Sequence, residues 1–357
     1  MFRVAALCLA LLPAAGTAES RFTPEQAALL QAGLVTTADG FVLPSYEALR
    51  DDAGTLTSTL ERYCSGEADI AGAHAAFADV FLSWQRASVI QVGPVMDAEG
   101  PMRVQLWPDP KGFSRRAVRM AVRAEDAALV KPDGLVGRSI ALLNLTALEE
   151  LLYGDLAPGS YACELSLAVA RYQADLAADL LDAWTPGATF RTEYDTAASG
   201  NDRYGSVDAV IRDLLAGAVV YTDRLRKHRI QRGLGAAAGE ARAERTEATS
   251  SGLGLASIAE NFRTLAELYE LPYGFFDITP DVGGTMEYYM LGETAANIAD
   301  SLALESRTLT EIAEEDGPMA AELRSFGELV LFHEAYFKTG LPSSIGLTTG
   351  FTSADGD

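Results

Sequence analysis

Glu149 is the residue in this sequence best placed to do chemistry. It stands in residues 139–155, SIALLNLTALEELLYGD, where Ile140, Leu143, Ala147, Leu148, Leu151 and Leu152 recur at helical spacing and predict a helix with one buried face. Asn144, Thr146 and Glu149 interrupt that apolar pattern. Thr146 and Glu149 are three residues apart and share one face of a helix. A carboxylate beside an apolar stripe costs free energy unless something satisfies it, which makes Glu149 the first place to look for a functional site. The same spacing also fits a glutamate at the edge of the stripe that reaches water.

Other chemistry-bearing residues are sparse. The three histidines, His74, His228 and His333, leave little room for an imidazole-rich metal site. His333-Glu334 comes nearest to a zinc-protease helix, but Phe337 occupies the position of the second histidine, so His333 reads as a bundle-face or surface residue. No Gly-x-Ser-x-Gly elbow, glycine-rich phosphate loop or cysteine pair at metal spacing is present. Carboxylates cluster at Asp97/Glu99, Glu149/Glu150/Asp155, Asp277/Asp281 and Asp355/Asp357. Oxygen donors of this kind suit hard cations such as calcium or ferric iron, although each cluster alone also fits a solvated loop.

The first eighteen residues carry one basic residue, an apolar run and small residues before Ala18, which predicts a signal peptide over 1–18 and a periplasmic protein. No later apolar run approaches the roughly twenty residues of a transmembrane helix, so no membrane span is expected. Two cysteines remain after such cleavage, Cys64 and Cys163, and in an oxidising compartment they predict one disulfide, with two unpaired buried thiols as the alternative. The formal charge is −22, from 50 acidic against 28 basic residues, which disfavours nucleic acid and anionic lipid and concentrates cations.

The elements around Glu149 read as helices throughout. Helical patterns are expected from Thr23-Pro24, over 44–64 after a break at Asp39-Gly40, and over 68–92. Others follow over 115–129, 161–184, 207–231, 253–269, 286–304 and 319–337. Residues 97–112 and 185–204 read as loops, and alternation of the strand type is never sustained. The fold class is therefore all-α, with two bundle-like domains of four-helix-bundle type: 19–232, containing the helix at 139–155, and 252–357 with an irregular tail, joined by a linker or excursion over 233–251.

In order along the chain, several stretches resemble the imelysin family. Residues 77–94, FADVFLSWQRASVIQVGP, look like its helix ending in Gly-Pro, and Leu106-Trp107-Pro108-Asp109 is similar to its Trp-Pro-Asp loop. LTALEELLYG at 145–154 resembles its central signature helix, 255–265 resembles the start of its second domain, and IGLTTGFTSADGD at 345–357 is similar to an ending found in one branch. The resemblance implies an exported protein of two helical bundles, from a family classed by name with metallopeptidases and tied in many members to bacterial iron acquisition. Its signature Gly-x-His-x-x-Glu is proposed to bind metal. Here Glu149 keeps the glutamate, Thr146 stands where the histidine would be, and Asn144 where the glycine would be. Thr249-Ser250 likewise stand where a Trp-Arg pair is expected.

A threonine hydroxyl is a poor metal ligand beside an imidazole, and one glutamate cannot both hold zinc and serve as its general base. The leading expectation is thus a non-catalytic binding or accessory protein of a metal- or iron-uptake system. Its pocket would use Glu149, Thr146, Asn144, Arg86, Trp107 and Asp109, with Glu149 as the metal contact if iron or calcium binds. The alternatives are a metal-dependent peptidase with an atypical centre, and a structural interaction module in which Trp84, Trp107 and Tyr153 serve as core.

Overall fold

In the computed structural model, residues 20–97, 100–269 and 286–347 are described, and the side chains of 286–288 are left aside. The leader at 1–18, Glu99, Asp277, Asp281, Asp355 and Asp357 lie outside the described residues.

No strand occurs among the described residues, and the structure is all-α. The N-terminal helices are α1 (Pro24–Thr37), α2 (Leu43–Cys64), α3 (Ile70–Ala87) and α4 (Phe113–Ala124). The middle holds α5 (Ile140–Leu143), α6 (Leu145–Leu152), α7 (Tyr161–Trp184), α8 (Thr189–Asp195), α9 (Val207–Asp223) and the short α10 (Arg232–Leu234). The last part holds α11 (Gly254–Leu268), α12 (Met286–Ala303), α13 (Leu309–Glu315), α14 (Pro318–Ala335) and α15 (Leu341–Ser344).

Local sequence explains most boundaries. Thr23 caps α1 through a reciprocal capping box with Gln26, and Pro24 occupies the first helical position. Asp69, Ser160 and Thr308 cap α3, α7 and α13 by accepting from the backbone amide three residues on. The break expected at Asp39-Gly40 is instead a π-type turn, Ala38–Val42, that carries α1 into α2. Its Asp39 accepts at 2.7 Å from Arg191, whose buried guanidinium also bonds Asp195 at 2.7 Å and the Trp184 carbonyl at 3.2 Å. That clamp seats α8, a helix within a stretch that reads as loop, because Phe190, Arg191 and Tyr194 are buried there.

The continuous run Pro24–Cys64 is long and apolar enough to cross a membrane by length and composition, with a mean hydropathy of 1.3 over its most apolar window. Leu34, Phe41, Val42 and Leu49 of this run are buried in the core, where α2 packs on α3 and α7, while Leu29 is exposed. One apolar cluster takes in buried residues from Ala27 to Leu347, each fully buried large side chain contributing about 1.5–3 kcal/mol. The disulfide Cys64–Cys163 ties the end of α2 to the start of α7, with Cα atoms 5.7 Å apart.

Candidate functional site

The stretch carrying Glu149 is two helices rather than one. Asn144 has extended backbone, φ −98° and ψ 168°, and ends α5. Its side chain then accepts from the Ala147 amide at 3.1 Å and caps α6. Asn144 is fully buried, also donating to the Ile140 carbonyl at 2.5 Å and to Ser114 at 3.3 Å, so it shapes the helix and does not line the cleft beside it. An asparagine that can satisfy the first amides of a new helix competes with continuing the old one.

Glu149 and Thr146 open from α6 into a cleft of about 330 Å³. One wall is the loop 105–112 with Gln105, Trp107 and Asp109, and the start of α4 with Arg115. The opposite wall, more than eighty residues on, is Arg232 on α10 and residues 244–249. Glu149 is 7% exposed. Its Oε1 accepts from the backbone amide of Ser251 at 2.9 Å and from the Ser251 hydroxyl at 2.8 Å. No described residue donates to Oε2. Burial pushes the Glu149 carboxyl above the ordinary 4.5; the two Ser251 hydrogen bonds oppose the shift, and Glu150 and Glu247 add to it.

Most other polar groups in the lining are engaged. The Thr146 hydroxyl donates to the Leu106 carbonyl at 3.2 Å. Asp109 accepts from the amides of Phe113 and Ser114, both at 2.8 Å, and so anchors the first turn of α4 at the cleft rim. Glu150 pairs with Arg115 at 3.0 Å. Glu247, 2% exposed, accepts from Gln105 at 2.9 Å and Ser257 at 2.7 Å and pairs with the buried Arg229 at 3.2 Å. Arg229 also donates to Gln85, so residues from α3, the 105 loop, the π-type segment Arg224–Gln231 and α11 meet behind the cleft. Removing one partner of such a buried pair leaves an uncompensated charge. Gly254 makes this meeting sterically possible: a β-carbon there would stand 2.5 Å from the Glu247 carbonyl oxygen.

Of the residues expected in the pocket, Glu149, Thr146, Trp107 and Asp109 come together. Arg86 does not line the cleft; it pairs with Glu267 at 2.8 Å and lies over the Phe41 ring at 5.0 Å. Ser251, Glu247 and Arg245 are not legible as site residues, because they lie about a hundred positions from Glu149 in a polar stretch that resembles a linker, and Arg232 directly precedes that stretch. The cleft also lacks a fit for a bare metal ion. Among the described residues no group of three or more His, Cys, Asp or Glu side chains could hold one. Thr146 is turned to a carbonyl, and Asp109, Glu150 and Glu247 in the lining are engaged by protein donors. The expectation of Glu149 as a metal contact therefore finds no supporting co-ligands among these residues.

The family model described as Imelysin matches residues 42–323 of the chain. A crystal structure of an imelysin-like protein from Psychrobacter arcticum 273-4 superposes with a TM-score of 0.74, covering 92% of this chain and 98% of that one at 17% identity, a likeness of fold. No curated protein matches the sequence.

Proposed function

The chain belongs to the imelysin family, and from that premise we propose that it is an exported, non-catalytic binding protein serving a metal- or iron-uptake system, with the cleft at Glu149 as its binding site. The observation carrying this reading is the half-engaged Glu149 carboxylate: Ser251 orients Oε1, and Oε2 keeps its acceptor capacity beside a cleft of about 330 Å³, a size that suits a small ligand. A disulfide supports an oxidising compartment. The Thr146 hydroxyl, bound to the Leu106 carbonyl, supports binding over metal-dependent peptide hydrolysis. Recovery of the protein from the periplasmic fraction, with expression rising several-fold under iron limitation and no cleavage of an unfolded protein substrate, is the expected result. Chelator-sensitive cleavage that Glu149→Gln abolishes would sink the reading, as would constant expression across iron levels.

A further inference from the structure

Once the internal pairings of the cleft are made, unpartnered donors remain in its lining, Arg232 and Trp107 among them. Arg232 makes no ion pair with any described residue; its guanidinium lies 5.8 Å from the Trp107 ring centroid, and its buried Nε has no acceptor. Trp107 Nε1, in the same lining, is likewise buried without an acceptor. Arg245 adds an exposed cation to the lining that makes no ion pair with any described residue. Two buried N–H groups without acceptors cost free energy that an incoming acceptor recovers. Across the cleft stands the opposite need, since Glu149 Oε2 is an acceptor that no described residue fills. Among the carboxylates of the lining, Asp109, Glu150 and Glu247 are held by protein partners, which leaves the exposed Glu244 and the free oxygen of Glu149.

We propose that this cleft takes a small organic hydroxycarboxylate: a ligand carboxylate accepts from Arg232 and Trp107 Nε1, and a ligand hydroxyl donates to Glu149 Oε2. A planar carboxylate matches the fork of a guanidinium and can receive the indole N–H on the same group. The hydroxyl supplies the donor that a simple polycarboxylate lacks. The chain's charge of −22 opposes anions at long range, but screening over about 8 Å at physiological ionic strength leaves the immediate lining in control. Within the uptake reading, on which this inference rests, the cleft takes the metal-free hydroxycarboxylate and not a bare ion, because a chelated ferric ion would occupy the hydroxyl that Glu149 needs as a donor.

Calorimetry on the purified mature protein, with citrate, tricarballylate, inorganic phosphate, ferric citrate, and calcium or zinc alone, tests this directly. Citrate is expected to bind, and tricarballylate, which lacks the hydroxyl, and ferric citrate, whose hydroxyl is taken by the metal, about tenfold more weakly. Arg232→Gln should weaken citrate at least tenfold, and Trp107→Phe, which keeps the ring and deletes the N–H, severalfold. Glu149→Gln should erase the preference for citrate over tricarballylate, because Oε1 stays with Ser251 and an amide N–H replaces the acceptor. Circular dichroism confirms that each variant is folded; if Arg232→Gln is not, Trp107→Phe decides alone. The proposal is overturned by phosphate or tricarballylate binding as well as citrate, by calcium or zinc binding while citrate does not, or by no heat with any carboxylate. A compound of another class whose binding Arg232→Gln abolishes would overturn the ligand class and leave the cleft standing. Citrate binding untouched by all three variants would overturn the cleft as well.

Discussion

Glu149 sits where its charged form is disfavoured. Burial raises its proton affinity, and only the two Ser251 hydrogen bonds work the other way through contact with the carboxylate. A raised carboxyl pKa means the folded state binds the proton more tightly than the unfolded state. Its contribution to stability is therefore full below the ordinary 4.5 and is lost as the pH climbs through the raised value. Glu149→Gln keeps an acceptor for Ser251 and removes the buried charge, so at pH 8 it should stabilise the protein by about 1 kcal/mol. Urea titrations at pH 8 and pH 4 check this, and a variant less stable than wild type at both would contradict it.

At the scale of single elements, side-chain placement decides what a helix contributes. α6 starts where it does because Asn144 caps it, and that start sets the rotation that aims Thr146 and Glu149 at the cleft. Asn144→Ala should cost about 1–2 kcal/mol by removing the cap and emptying a buried polar site, read as a lower melting temperature. Asn144→Asp, which keeps the capping oxygen, should recover part of that loss. On α14, His333 is 1% exposed rather than at the surface, with Nδ1 3.0 Å from the Tyr269 hydroxyl. Burial lowers its pKa from 6.5 to about 4. The unfolded chain therefore takes up the proton first, and His333 favours the folded state fully above pH 6.5. That advantage disappears as the pH falls to about 4, a loss of about 3 kcal/mol. His333→Gln should flatten the stability profile between pH 6.5 and 4, and an unchanged slope in denaturant melts would refute the assignment.

Across the whole molecule, the cleft exists because distant stretches are held together. The Glu247–Arg229 pair, Gln85, Gln105 and Ser257 join five segments directly behind it. The Cys64–Cys163 bridge, with a sequence separation of 99, closes a loop whose chain-entropy value is about 4–5 kcal/mol. Replacing both cysteines by serine should lower stability by that order while leaving the cleft's ligand affinity within about twofold. A comparison of denaturation midpoints with binding isotherms tests both halves.

The amino-acid sequence alone determined the helical class, most helix boundaries and the disulfide partners, and it singled out Glu149 as an awkwardly placed carboxylate. These follow from local causes: apolar periodicity, capping residues such as Thr23 and Ser160, and a pair of cysteines left by a predicted leader. Periodicity could not separate α5 from α6, because one buried asparagine outweighs an unbroken apolar pattern. Nor could it move Arg86 away from the pocket, since that depends on where Glu267 and Phe41 are brought by other helices. Only the tertiary structure decided what faces Glu149. Ser251, Arg232, Arg245 and Glu247 reach it by long-range packing, and no spacing rule links residues a hundred positions apart.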